Sequence, residues 1–264
     1  MSNPYSEDSL IQAAAANLLH DELEWETVFA FDDEVLGENG TLGRSSHKEV
    51  ILLRYLRSAL RKFNTWLTPQ QEEEAIKKIK SHVSTASIMQ TNEEKYKMIK
   101  DGIDVSCTKP DGTPGTRKAK VIDYNNPQKN SFIAVRELWI KGAYHKRRAD
   151  IIGFVNGLPL LFIELKNHYV DVSEAYNNNY SDYLDTIPHL FFCNAMIMLS
   201  NGMTAKVGTL GSKFEFFHEW KRLKEEDAGN IELATMLRGI CKKENFIDLI
   251  ENFILYDHTD GNTV

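Results

Sequence analysis

Apolar positions along the first hundred residues recur with a helical period. Val50, Leu53, Leu56, Leu60 and Phe63 follow at steps of three and four, which lines one face of an amphipathic helix. An Ala-rich stretch from Leu10 to Leu19 predicts an earlier helix, and Thr27 to Phe31 predicts a short strand. The polar segment 32–46, with Gly37, Gly40 and Gly43, predicts a loop. Pro69 opens another helical stretch with Ala75, Ile76 and Ile79 on its apolar side, and Glu93 to Ile99 predicts one more. At Ile103 the pattern changes to short apolar runs broken by turn residues, Lys109-Pro110-Asp111-Gly112 and then Thr113-Pro114-Gly115, the chemistry of strands and hairpins.

Strands are predicted at Val121 to Tyr124, Phe132 to Ile140, Asp150 to Val155 and Leu158 to Lys166, the last two joined at Asn156-Gly157, a strong hairpin signal. A helix from Ser173 to Leu184 follows, opened near Asp171 and Glu174 and closed before Pro188. Ala195 to Leu199 and Ala205 to Thr209 form a further strand pair around Asn201-Gly202, Phe214 to Phe217 adds an edge, and Ile231 to Leu255 is helical by spacing. Helices, mixed strands, a helix, strands and helices again predict an α/β (α+β) domain with a mostly enclosed central sheet.

Composition narrows the function classes. The 264 residues suffice for one well-buried core, and no apolar run approaches the roughly 18–20 residues that a membrane span needs. The polar N-terminus is unlike a signal peptide, so the expectation is a soluble, cytoplasmic protein without a membrane partner. Cys107, Cys193 and Cys241 are scattered and odd in number, which argues against a disulfide framework or a structural zinc site. A formal net charge of -7 disfavours a free-standing, non-specific DNA binder, so function must come from a local site.

The informative stretch runs from Arg147 to Lys166. Leu158 to Ile163 is apolar without interruption, apart from Pro159 within it, and predicts a central strand buried on both faces. That strand ends in Glu164-Leu165-Lys166. Residues i and i+2 of a strand share a face, so a carboxylate and an ammonium project together from a dry strand end, a costly arrangement unless the charges are paired or metal-bound. Asp150, in the partner strand, supplies a second carboxylate. Two carboxylates and a lysine suit phosphodiester cleavage assisted by Mg²⁺, which prefers a few hard oxygen ligands plus water and phosphate. A structural salt bridge is the competing explanation for Glu164 and Lys166. There is also a geometric obstacle: a strict two-residue turn at Asn156-Gly157 sets Asp150 against Ile163, on the face opposite Glu164. The site therefore requires an odd loop, a bulge, or Asp150 beyond regular pairing, and Pro159, without an amide donor, is a candidate break.

At these residues the chain resembles the PD-(D/E)xK nucleases, and more closely the N-terminal part of the restriction subunit of type I restriction–modification enzymes. The resemblance rests on Val121 to Pro127, Asn130-Ser131-Phe132, Arg147 to Asp150, Phe154 to Leu160, Ile163 to Asn167, Asp185 to Phe191 and Leu199 to Gly202, in order. It implies a restriction-endonuclease-like core, about 103–210, within an endonuclease domain spanning 1–225, and a helical extension over 226–264 that leads to an ATP-driven motor. It further implies catalysis by Asp150, Glu164 and Lys166, with Mg²⁺ held by Asp150, Glu164 and the backbone carbonyl of Leu165. The expected partners are double-stranded DNA and the methyltransferase and specificity subunits of the complex. The Gln-x-x-x-Tyr motif of such proteins reads Asn179 to Tyr183 here, which places Asn179 and Tyr183 on one helix face toward DNA or the site. Ala149 stands where the usual proline precedes the aspartate, and Gln12 is the nearest counterpart of a glutamate that many relatives carry on the first helix.

No Gly-x-x-x-x-Gly-Lys-Ser/Thr loop is present, so ATP, expected for a full-length subunit, has no site in this chain. Asn252 to Asp257 resembles the segment just before the motor, which implies a fragment ending there. The basic run Lys141, His145, Lys146, Arg147 and Arg148 is either a solvated loop or a set of phosphate contacts, and beside this site Lys146, Arg147 and Arg148 are expected to contact DNA. Arg117, Lys118 and Lys120 fit a solvated strand edge, Tyr176 and Tyr180 fit helix packing or base stacking, and His47 and His189 fit surface or helix-end positions. Two further readings stay open at this point: a catalytically silent docking or regulatory module of the same complex, and a stand-alone nuclease of the superfamily, against which the motor-proximal segment argues.

Overall fold

A seven-stranded mixed sheet forms the centre of the molecule in the computed structural model, which describes residues 7–31, 33–220 and 232–258. Helix α1 (Glu7–Asp21) precedes strand β1 (Glu26–Phe29). Helices α2 (Leu53–Phe63), α3 (Pro69–Lys80) and α4 (Ile88–Asp101) follow. Thr68 and Ser87 start α3 and α4 with reciprocal capping boxes to Gln71 and Gln90, and Pro69 occupies the first turn, where its missing N–H is harmless. Strands β2 (Ile103–Thr108) and β3 (Pro114–Ala119) make a separate hairpin packed on α3 and α4.

The main sheet is built from β1, β4 (Phe132–Lys141), β5 (Lys146–Val155), β6 (Leu158–Leu165), β7 (Met196–Ser200), β8 (Ala205–Gly208) and β9 (His218–Glu219), in that spatial order. The pairs β1–β4 and β6–β7 are parallel and the others antiparallel. Strand β6 is central and buried along its whole length, as its apolar run predicts. Parallel pairing of β6 with β7 requires a crossover. Here the crossover is a helix that starts as a π-helical turn, Ala175–Tyr180, and tightens into α5 (Ser181–Thr186). It lies beside the end of β6, which is where Glu164 and Lys166 emerge.

The sheet is sandwiched between two apolar cores. One joins Ala15 and Leu19 of α1, Ile76 and Ile79 of α3, and Leu161 and Ile163 of β6. The other joins Ile152 and Phe162 with Tyr180, Tyr183 and Phe191 under the crossover helix. Two C-terminal helices, α6 (Glu232–Ile240) and α7 (Lys243–Asn252), bury Met236, Leu237, Phe246 and Ile250 in the first core. The Trp25 indole N–H donates to the Cys241 carbonyl at 2.9 Å, so this helical extension is fastened to the domain. The expected boundary at 225/226 falls outside the described residues. All three cysteines are free thiols, and no described helix is long and apolar enough to cross a membrane.

Several sequence expectations change. Val121 to Tyr124 is not a strand. Its backbone groups bond to side-chain amides instead: Asn156 donates to the Val121 carbonyl at 2.9 Å, and the Asp123 amide donates to Asn130 Oδ1 at 2.9 Å. Phe214–Phe216 is a 3₁₀ turn, and the sheet edge is the next pair, His218–Glu219. The helical C-terminal stretch divides at Cys241-Lys242, and Ile254-Leu255 lies past its end.

Candidate active site

The turn between β5 and β6 has Asn156 at φ 51° and Gly157 at φ 81°, both left-handed, as a two-residue hairpin turn with matching twist requires. A side chain at Gly157 would also meet the Leu52 carbonyl oxygen 2.3 Å from its Cβ, so only glycine fits. Pairing begins as this turn dictates, Val155 with Leu158 and Phe154 with Pro159. It then slips: Gly153 pairs with Leu161, Ile152 with Phe162 and Ile151 with Ile163. Leu160 is the extra residue, next to the proline that cannot donate to the ladder. One further step in the slipped register sets Asp150 across from Glu164, so the bulge removes the obstacle that a regular hairpin poses.

Asp150 is held from two sides. Its Oδ2 accepts from the Leu165 amide at 2.8 Å and its Oδ1 accepts from Gln12 Nε2 at 2.9 Å. Gln12, buried on α1, is thus an orienting donor for the acid, a role its place in the sequence did not disclose. Glu164 is 1% exposed. It follows Phe162 by two residues and shares its face, and Phe162 packs edge-on against Tyr183 and Phe191 with centroids 5.8 and 5.2 Å away. Lys166 is on the same side: its Nζ donates to Asn179 Oδ1 at 2.5 Å, and its backbone amide donates to the Ser200 carbonyl at 2.8 Å. The site therefore draws on α1, β5, β6 and the π-helical turn, which supplies Asn179. Such wide turns recur at functional sites.

The electrostatics follow from burial. Loss of water pushes the Asp150 carboxyl up to about 7; the Leu165 N–H works against that shift, and the Glu137 carboxylate adds to it. Glu164 is raised well above the ordinary carboxylate range, first by burial and then by Asp150, with Lys166, a hydrogen bond from Asn179 and Arg148 pulling it down. Glu164 Oε2 is buried without a hydrogen-bond partner among the described residues. Two acids that repel one another, one with an orphaned oxygen, form a site suited to a cation. No cluster of three or more His, Cys, Asp or Glu among the described residues is arranged to hold a metal, so any ion here rests on this pair and backbone oxygen.

The raised acids have a consequence for stability. Between the ordinary value of 3.8 for Asp150 and its folded value of about 7, the native state binds more protons than the unfolded chain. Their contribution to stability is therefore complete at low pH and is lost as pH rises toward 7. In EDTA, the thermal midpoint of the wild type relative to the Asp150→Asn/Glu164→Gln double variant is expected to fall between about pH 4 and pH 7. A difference curve that is flat across that range would contradict the assignment.

The basic residues fare differently. Arg147 is bound by both carboxylate oxygens of Asp182, at 2.5 and 2.8 Å. Lys146 lies 4.4 Å over the Trp139 ring. Arg148 stands 3.0 Å from Glu137 and faces the acids. Tyr183 is buried, and its hydroxyl donates to the Arg148 carbonyl at 2.8 Å, so of the two expected places, DNA or the site, it lies beside the site, where it braces β5. Arg117 stacks on Trp66 at 4.0 Å, and Tyr176 and Tyr180 pack against one another and Phe217.

Residues 4–216 match the family described as Type I restriction enzyme R protein N terminus. The chain belongs to that family. The chain is 31% identical over 252 residues to the Type I restriction enzyme HindI endonuclease subunit of Haemophilus influenzae, a match covering 92% of this chain and 23% of the relative. It is 27% identical over 240 residues to the Putative type I restriction enzyme MjaIXP endonuclease subunit of Methanocaldococcus jannaschii, covering 81% of this chain and 23% of the relative. A shorter match, 32% over 85 residues, links it to the SauCOLORF180P endonuclease subunit of Staphylococcus aureus. The chain thus spans about a quarter of the length of the curated relatives it matches most extensively.

Proposed function

We propose that this chain is the DNA-cutting module of a type I restriction enzyme, hydrolysing phosphodiester bonds of double-stranded DNA with a divalent ion. The observation that carries this reading is the buried Glu164 oxygen without a partner, in electrostatic reach of a second buried acid and of Lys166. Asp150, Glu164 and the Leu165 carbonyl would hold Mg²⁺, whose hard preference for oxygen suits them. When bound, such an ion lowers the pKa of water and offsets charge on phosphate.

The remaining work belongs to the protein. Gln12 and the Leu165 amide fix the Asp150 carboxylate, so its oxygens need no reorganisation when DNA arrives. Asn179 holds the Lys166 ammonium near Glu164, where it can orient a water and favour the more anionic transition state. The apolar packing of Phe162 keeps bulk water from the inner side of the pair, which strengthens each of these interactions. Recognition of a DNA sequence, methylation and ATP-driven translocation fall to other subunits and to regions outside this chain.

The reading is tested by ion binding. Titration calorimetry with Mn²⁺ or Mg²⁺ is expected to show a site in this chain that disappears in Glu164→Gln and Asp150→Asn. Unchanged binding in both variants would reject the assignment, and absence of binding in the wild type would favour a silent docking module.

A further inference from the structure

Glu137 has no part in the site as described, yet it stands beside it. In β4, Arg136 pairs with Ile151 and Leu138 with Ala149, which puts Glu137 level with Asp150 on the neighbouring strand. It is buried, and its φ of 55° is left-handed in the middle of a strand, a strained state for most residues other than glycine and asparagine. Asparagine or glycine would relieve that strain, so the position has a use for the glutamate side chain.

That side chain meets Arg148, with Oε2 3.0 Å from Nε. The guanidinium also lies 4.5 Å over Phe31 and 5.7 Å over Trp139. Arg148 shares the Asp150 face of β5, and its charge pulls down both Asp150 and Glu164. The contact is an ion pair without hydrogen-bond geometry, since Glu137 Oε2 has no hydrogen-bond partner among the described residues, and the Arg148 side chain remains 30% exposed. Arg147, one residue earlier, is occupied by Asp182. A guanidinium paired in charge with Glu137, flanked by rings and still partly exposed offers the planar fork that grips a phosphate.

We propose that Glu137 is a positioning residue that fixes Arg148 beside Asp150, so that the terminal nitrogens of the guanidinium clamp a phosphate of the bound DNA strand. The proposal rests on the nuclease reading of the site. It differs from a role for Glu137 as a further cation ligand: its Oε2, like that of Glu164, is buried without a hydrogen-bond partner, but it lies 3.0 Å from a guanidinium, and no cluster of three suitable side chains is arranged among the described residues.

The test is fluorescence anisotropy of this chain on a short DNA duplex across a salt series, paired with the calorimetry above. Arg148→Ala and Glu137→Gln are each expected to weaken binding about tenfold and to reduce the salt slope by about one phosphate contact. The double variant is expected to lose no more than either alone, because the two act as a unit. Glu137→Gly should show the same loss of affinity with an unchanged or higher thermal midpoint, since glycine accepts the left-handed backbone; a merely structural glutamate would lower the midpoint and leave the salt slope intact. Ion binding should survive in all of these variants. Multiplying effects in the double variant, an unchanged salt slope, loss of the ion in Glu137→Gln, or a wild type that binds the ion but no duplex would each overturn the proposal. Failure of the nuclease reading registers separately, as an ion site that Glu164→Gln does not remove.

Discussion

Lys166→Ala, placed in an intact restriction complex, is expected to lower DNA cleavage roughly 10²–10³-fold, the range seen when one preorganised electrostatic group is removed from an active site. The ammonium is held by Asn179, stands two residues from Glu164 on one strand face, and draws down the proton affinity of both acids. Alanine removes that charge and leaves the Asn179 oxygen without its donor. Both acids then hold protons to higher pH, so the residual activity is expected to rise toward alkaline pH more steeply than in the wild type. DNA affinity should change little, because an interaction used mainly in the transition state lowers turnover with little effect on ground-state binding. Cleavage assays across pH, with binding measured in parallel, check both halves. Wild-type cleavage by the alanine variant would remove Lys166 from the chemistry.

Phe162→Ala is expected to be the most damaging single change to stability in the site's support, at about 3–5 kcal/mol. The ring is fully buried in the centre of β6 and packs against Tyr180, Tyr183 and Phe191. Those rings are the seat of the crossover helix that carries Asn179. A cavity there loosens the helix as well as the core, so ion binding should weaken together with the thermal midpoint. For a chain of this size the midpoint should fall by roughly 6–20 °C. Calorimetric unfolding tests the first effect, and ion titration at a temperature where the variant is folded tests the second. Substitution by leucine, which fills most of the volume, should recover much of the loss. A variant that unfolds at the wild-type temperature would mean the core closes around the gap.

Much of the architecture was legible from pattern alone. The three- and four-residue spacing from Leu53 to Phe63 became α2, with Val50 before its start, the apolar run ending at Glu164 became the central strand, and Asn156-Gly157 became its turn. Local rules misjudged segments whose backbone bonds are met from afar. Val121 to Tyr124 has strand-forming residues, but Asn130 and Asn156 reach it from two other places in the chain and take its hydrogen bonds, while Asn64 takes those of the preceding Lys120. The bare pattern likewise could not foresee that the crossover helix begins with a π-helical turn, which aims Asn179 at Lys166.

Residue identity by itself determined the ingredients of the site: two acids and a lysine at the end of a buried strand, with the i, i+2 rule setting Glu164 and Lys166 on one face. It also determined the hairpin, because only certain residues tolerate left-handed backbone. Tertiary structure decided whether those ingredients meet. The one-residue slip at Leu160 brings Asp150 level with Glu164, and α1 supplies Gln12 to hold it, from 138 positions away in sequence. The physical reason is that strand register and burial depend on every layer packed around the sheet, whereas spacing along the chain reports only the next few residues.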